Sequence, residues 1–317
     1  MLLVAGENLV DLIRTGQAAD GAPLFTATAG GSPYNCARAL ARLAVPVGYL
    51  TPVASDAMGD LLAAGLRDDG VRLLAGRSRR PAALALVTLD GGEARYRFCR
   101  EGTADRDVTA EGLRAAMPEA AEALHLGSMA LIDGPDAEAV AALVAHAAGR
   151  GLLISVDPNI RAEALPAAAR GAYRARLARI FAAADIVKLS DADLDWLFPG
   201  APLEAAAEAL WAEAAPGLLV VTRGADGALA RFGAGWLQVP AAPVTVLADT
   251  VGAGDSFMAA MLAGLRDAGA LRPAALRALE RPALASVLAL AARAAAITCT
   301  RRGCKPPTRA ELDAARG

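Results

Sequence analysis

The chain has 317 residues, 55% of them hydrophobic, with 32 basic against 34 acidic side chains and a formal net charge of −2. Such a length buries a core large enough for one domain or one and a half, and the near-neutral balance offers no long-range field to nucleic acid or anionic lipid, which points to a small-molecule partner. No apolar run reaches about 18 residues free of charges or helix breakers, Cys36, Cys99, Cys299 and Cys304 lack zinc spacing, and the N-terminus has no leader pattern, so a cytoplasmic protein without a membrane span is expected.

Leu2 to Ala5 is a short apolar run ending at Gly6 and reads as a buried first strand, whose C-terminal end is where open α/β sheets keep their ligands. Asp11 follows closely, and on the residues alone it is either a solvated loop carboxylate or a ligand contact. Leu9 to Arg14 and Pro23 to Thr28 read as two strands joined by a polar turn over Gly16 to Gly21. The stretch Gly30-Gly31-Ser32-Pro33-Tyr34-Asn35 then opens a helix over Tyr34 to Ala44, with Ser32 as its cap and Pro33 in its first turn. A strand over Val47 to Val53 and the segment Asp56 to Gly59 come next.

Leu84 to Leu89, the turn Asp90-Gly91-Gly92 and Ala94 to Arg100 form a hairpin, with Tyr96 and Phe98 on one face of its second strand and Arg95, Arg97 and Cys99 on the other. From Ala123 to Val221, short apolar runs (Leu124 to Gly127, Leu152 to Val156, Ile186 to Leu189, Leu218 to Val221) alternate with Ala-rich amphipathic stretches. That alternation predicts an α/β fold, a doubly wound and mostly parallel sheet with helices on both faces. Polar residues follow the strands: Asp157, Asn159 and Arg161, then Lys188, Ser190 and Asp193, then Thr222, Gly224 and Gly227. One carboxylate at a strand end is commonly a helix cap, but a succession of them marks a ligand edge. His125 and His146 are too far apart to suggest a metal pair and read as structural or solvated. A second hairpin spans Ala228 to Phe232, Gly233-Ala234-Gly235 and Trp236 to Val239, and a long Ala-rich helix covers Pro282 to Thr298.

Between these last two lies Asp249-Thr250-Val251-Gly252-Ala253-Gly254-Asp255-Ser256-Phe257, followed by the apolar run Met258 to Leu265. Small residues feeding a buried helix leave its first N–H groups unpaired, and Gly252 and Gly254 let a phosphate approach the backbone. A carboxylate at Asp255 is then placed to accept the proton of an alcohol nucleophile. An aspartate after glycine ordinarily caps its helix. The chain lacks a P-loop and the third glycine of the dinucleotide fingerprint, Phe257 standing in that place.

The Asp249–Phe257 run closely resembles the C-terminal signature of the ribokinase-like (PfkB-type) carbohydrate kinases, and Gly30-Gly31 with Asn35 and the downstream Gly59-Asp60 resembles their N-terminal signature. The resemblance implies one kinase domain over residues 1–317, with a small β-sheet lid made by strands within 9–28 and 84–100. It implies catalysis by Asp255 with an anion hole at Gly252, Ala253 and Gly254, and sugar contacts from Asp11, Gly31, Asn35, Arg97, Arg161 and Asp255. ATP contacts are implied for Lys188, Ser190, Thr222, Gly224, Gly227 and Gly254, magnesium for Asp193, and a monovalent cation such as K⁺ for Asp249 with carbonyls of the loop from Thr300 to Pro307. Many members have Asn-x-x-Glu where this chain has Ser190-x-x-Asp193. Gly-Gly-Ser-Pro-Tyr-Asn, Asp-Pro-Asn-Ile-Arg and Thr-Arg-Arg-Gly-Cys-Lys-Pro-Pro-Thr are most similar to the fructokinase branch, so the implied partners are fructose and ATP, with a homodimer formed through the lid. A 2-keto-3-deoxygluconate kinase, a ribokinase and, outside enzymes, an inactive sugar-binding regulator are the alternatives.

Overall fold

The computed structural model describes residues 1–90, 93–233 and 235–315. The chain begins with β1 (Leu2–Ala5), the antiparallel pair β2 (Leu9–Gln17) and β3 (Pro23–Gly30), and α1 (Ser32–Arg42). Then come β4 (Val47–Tyr49), β5 (Val53–Ala54), α2 (Ala57–Asp68), β6 (Arg72–Leu73), β7 (Arg77–Ser78), and the hairpin β8 (Ala83–Asp90) and β9 (Glu93–Cys99). The segment read as one strand over Val47 to Val53 is thus two. Pro52 has no N–H to offer a ladder, and Thr51 Oγ1 instead accepts the Gly6 N–H at 2.9 Å.

The second half alternates: α3 (Ala110–Ala115), β10 (Ala123–Gly127), α4 (Gly134–Gly149), β11 (Leu153–Asp157), α5 (Arg170–Ala182), β12 (Ile186–Ser190), α6 (Asp191–Leu197), α7 (Leu203–Ala214) and β13 (Leu218–Thr222). The hairpin β14 (Ala228–Phe232) and β15 (Gly235–Val239) precedes α8 (Ala253–Asp267), α9 (Pro273–Arg277), α10 (Arg281–Cys299) and α11 (Arg309–Ala314). Gly91 and Gly92 of the first predicted turn, and Ala234 of the second, lie outside the described residues.

Among the described residues the large sheet has nine strands in the order β15-β14-β13-β12-β11-β10-β1-β4-β6, parallel except where β14 and β15 join antiparallel at one edge. The period of two divides each buried strand between two cores. Leu2 and Val4 of β1 pack with α1, α2, α8 and α10, whereas Leu3 and Ala5 pack with α4, α5 and α7. By length and composition alone α10 could cross a membrane. Its Leu284, Val287, Leu288, Leu290, Ala291 and Ala294 are buried against the first core, beside the equally buried face of α8.

A second sheet of four strands, β3-β2-β8-β9, stands apart from the first. Its two hairpins are joined by parallel pairing of β2 with β8, which sets Asp11 opposite Ala85, and Ala85 lies opposite Phe98. Partners in one row share a face, as do alternate residues along a strand. Asp11, Phe98 and Tyr96 therefore project from the same face, and Arg97 from the other.

Candidate active site

Asp255 sits in the first turn of α8, and its carboxylate is buried. Helix α8 starts at Gly252, which holds a left-handed φ of 76° and supplies no side-chain cap. The N–H groups of Gly254 and Asp255 take no backbone carbonyl, so they remain open at the helix start, where unpaired donors and the macrodipole favour an anion. Asp255 does not cap its helix. Its Oδ1 accepts from Ser32 Oγ at 2.7 Å and its Oδ2 from Asn35 Nδ2 at 2.9 Å, both donors coming from α1. Burial pushes the Asp255 carboxyl above its ordinary range, against the pull of those two hydrogen bonds. A raised, oriented carboxylate is a better proton acceptor at neutral pH than an exposed one.

The ends of β11 and β12 bring a cation to the same place. Lys188 Nζ donates to Asp157 Oδ2 at 2.7 Å, with both side chains buried. Burial alone would lower the lysine's proton affinity, but the Asp157 charge and hydrogen bond more than reverse this, so it stays charged. A Cβ built on Gly254 would lie 3.1 Å from that ammonium, which places the charge beside the open end of α8.

Ser190 and Asp193 form a capping box on α6, closing the helix in both directions. Asp193 Oδ2 accepts from the Ser190 N–H and hydroxyl, and Oδ1 from the Ile160 N–H at 2.6 Å. Burial and then the neighbouring Asp157 charge raise its proton affinity. No three His, Cys, Asp or Glu side chains converge as a metal cage among the described residues. Magnesium in phosphoryl transfer is held mainly by phosphates and water with one or two carboxylates, and Asp193, three of its lone pairs already engaged, fits that partial role.

These groups surround a cleft of about 490 Å³, which Glu7, Asp11, Gly31, Ser32, Asn35, Tyr96, Phe98, Arg161, Lys188, Ser190, Asp193 and Asp255 help to line. Gly31 has a φ of 106°, and a Cβ there would stand 2.6 Å from the Glu7 carbonyl oxygen, so the turn admits only glycine. Asn35 Oδ1 is buried and has no hydrogen-bond partner among the described residues. Burial pushes the Asp11 carboxyl up to about 6, with the Arg161 charge opposing it. Thr222, Thr250 and Gly254 also line a second, largely apolar cavity of about 570 Å³ that includes Gly224, Gly227, Ala253 and Phe257. The two cavities meet at the start of α8.

Two expectations need correction. Ser32 does not cap α1, whose cap position is Gly31; the hydroxyl turns instead to Asp255. Arg97 lies outside the Asp255 cleft and lines an adjoining depression with Arg100, Arg106 and Glu163, because the strand period turns it away while Tyr96 and Phe98, stacked with centroids 5.9 Å apart, face inward. Gly254 is an ordinary helical residue, so the backbone that resists a side chain belongs to Gly252, whose added Cβ would run into Cys304 Sγ. Asp249 lies beside the cleft, accepting from the Val251 N–H at 3.1 Å and the Gly303 N–H at 2.9 Å, and so ties the loop before α8 to the loop after α10. Glu7, Met129 and Glu163 are among the cleft residues that sequence reasoning did not single out, and Ser32 was read only as a helix cap. The glutamate two residues past the apolar run of β1 was the available signal.

The family pattern of pfkB family carbohydrate kinases matches residues 1–311. A fructokinase from Rhizobium leguminosarum bv. trifolii is 39% identical over 268 residues, 84% of this chain and 80% of that protein. The crystal structure of a fructokinase with bound ATP from Xylella fastidiosa is similar with a TM-score of 0.87 and 29% identity, covering 99% of this chain and 97% of that one. A fructokinase from Vibrio cholerae O395 in a fructose-, ADP- and calcium-bound form is similar at 0.82 and 25% identity, over 99% and 97% of the two chains. The chain therefore belongs to the pfkB family of carbohydrate kinases and is a phosphotransferase whose acceptor is a sugar hydroxyl.

Proposed function

We propose that this enzyme transfers the γ-phosphoryl group of ATP to a hydroxyl of D-fructose, with Asp255 as the general base. The observation that carries the reading is the placing of Asp255 where the polar cleft and the apolar cavity meet, beside the open N–H groups of α8. A sugar hydroxyl in the cleft gives up its proton to Asp255, and the Gly252–Gly254 backbone with Lys188 stabilises charge on the transferring group. Asp11, Gly31, Asn35 and Arg161 hold the sugar, the free Oδ1 of Asn35 accepting from a hydroxyl. Thr222, Gly224 and Gly227 border the nucleotide, whose base is accommodated by the apolar cavity. Asp193 would help hold magnesium brought in with ATP, which would supply charge neutralisation on the phosphates. Asp249, tied to Gly303 in the loop after α10, is the carboxylate that would hold a monovalent cation together with carbonyls of that loop. At the free edge of the lid, β3 exposes Leu24 and Phe25, which supports docking of a second copy there.

Fructose is favoured by the names of the similar fructokinases. The second reading, 2-keto-3-deoxygluconate, draws on Arg161, which lines the cleft with no ion pair of its own among the described residues and could grip a carboxylate with its planar fork. A coupled ADP-release screen against fructose, 2-keto-3-deoxygluconate, ribose, glucose and adenosine decides between them. Asp255→Asn should cut turnover by about 100-fold or more while ATP still binds. Retention of more than about half the activity would remove Asp255 from the base role. Failure of every sugar to release ADP would favour a binding protein without chemistry.

A further inference from the structure

Glu7 is a buried carboxylate with an unusual pattern of satisfaction. It follows β1 on the turn Gly6-Glu7-Asn8, is 1% exposed, and lines the cleft at the end facing α1. Its Oε1 accepts the Ser32 N–H at 3.1 Å. The Ser128 hydroxyl and the Arg100 charge act on the same carboxylate, while its buried Oε2 makes no hydrogen bond of good geometry among the described residues. A carboxylate so fully buried is costly to keep in the interior, which calls for a reason other than stability.

The neighbouring backbone supplies that reason. The Glu7 turn and the start of α1 are closely packed: a side chain on Gly31 would meet the Glu7 carbonyl, and one on Gly6 would meet the Pro33 ring. The turn itself is pinned by Tyr49 Oη donating to the Gly6 carbonyl at 2.7 Å and by Asn8 Nδ2 donating to the Pro52 carbonyl at 3.0 Å. Glu7 therefore offers a fixed acceptor to the amide of the residue whose hydroxyl holds Asp255 Oδ1. From Glu7 through Ser32 to Asp255 the contacts form one continuous chain across three segments of sequence.

We propose that Glu7 is a positioning residue for phosphoryl transfer: it fixes the Ser32 turn so that the Ser32 hydroxyl sets the orientation of the Asp255 carboxylate. The inference rests on the reading of Asp255 as the base. It assigns to Glu7 no contact with substrate. What matters in this arrangement is reach. A carboxamide at position 7 still places an oxygen on the Ser32 amide, whereas an aspartate keeps the charge but falls a methylene short.

The test compares Glu7→Gln and Glu7→Asp, each alone and combined with Ser32→Ala, by kcat, by the KM values for sugar and ATP, and by thermal unfolding. Ser32→Ala and Glu7→Asp should each lower kcat by about tenfold, as loss of one hydrogen bond to a charged group would, with the KM for ATP unchanged. Glu7→Gln should stay within about threefold of the wild type, and Glu7→Asp should add little to Ser32→Ala, because both interrupt the same chain. The reverse order, with Asp better than Gln, would mean that charge and not reach is at work and would overturn the proposal. So would losses in Glu7→Asp and Ser32→Ala that multiply to about 100-fold. The two readings fail separately: activity retained in Asp255→Asn removes the base whatever the Glu7 variants do, while an inactive Asp255→Asn with multiplicative Glu7 and Ser32 losses removes only the positioning role.

Discussion

Lys188 and Asp157 extend from the ends of adjacent strands and pair at 2.7 Å, with side chains only 5% and 4% exposed. Removing one partner leaves the other charge buried alone, which costs about 3–5 kcal/mol. Lys188→Met should therefore lower stability strongly in urea unfolding as well as abolish turnover. The double variant Lys188→Met with Asp157→Leu should recover most of the stability and none of the activity. Recovery of turnover in that double variant would show that the cation has no part in the reaction.

Gly252 and Gly254 should fail in different ways. Gly252 has a φ of 76° and its Cβ would collide with Cys304, so Gly252→Ala should lose stability by about 1–2 kcal/mol from the backbone alone. Gly254 is helical, and a methyl there meets only the end of Lys188. Gly254→Ala should melt close to the wild type and lose activity. Comparing melting temperature with kcat separates the two, and equal behaviour would count against a phosphate site at this turn.

Asp11 should make sugar binding depend on pH. Burial pushes its carboxyl from the ordinary 3.8 up to about 6, so the ionised acceptor is lost as pH falls through 6. The KM for sugar should rise below that pH while the KM for ATP changes little, and Asp11→Asn should flatten the profile. The sign for stability is the opposite. A folded pKa above the unfolded one means that ionisation in the folded state is penalised, so the cost is absent below about pH 3.8 and complete above about 6. Asp11→Asn should melt higher than the wild type at pH 8, with the difference vanishing near pH 4. A melting difference that does not vary with pH would contradict this.

Arg161 distinguishes the substrate readings. It lines the cleft opposite Asp11. With a neutral sugar, Arg161→Lys should be tolerated within a few-fold in kcat/KM, whereas a carboxylate gripped by both guanidinium nitrogens should lose more than about tenfold. Kinetics on fructose and on 2-keto-3-deoxygluconate with the same variant provide the comparison.

Local pattern carried most of the fold. The runs at Leu2, Leu124, Ile186 and Leu218 are strands because nothing but burial on both faces suits them, and all four appear in the large sheet. The lid hairpins were equally legible, since alternation and turn residues are local signals. What no local signal could give was the pairing of β2 with β8, two segments some 70 residues apart, and with it the row that places Asp11, Ala85 and Phe98 on one face. The site divides in the same way. Asp255 was legible from its own turn, but the Ser32 hydroxyl was assigned to its nearest backbone, the usual partner, when its actual partner lies 223 positions away. Arg97, implied by the resemblance as a sugar contact, lines the adjoining depression and not the Asp255 cleft, because it alternates with Tyr96 and Phe98 along β9.

The row that joins the lid hairpins also fixes where the chain enters and leaves that sheet. Leu9 pairs with both Gly30 and Ala83, and Leu84 pairs with Cys99, so the four crossings between the lid and the body lie along one line about 15 Å wide at ordinary strand spacing. Four parallel tethers along a line allow bending about that line and resist twisting across it. Bending about that line would carry Asp11 and Tyr96 toward the body together, because the paired strands form one sheet. An acceptor that tilted one side of this sheet would displace the other, so a closing sheet would respond to the shape of the whole acceptor and not to one hydroxyl at a time.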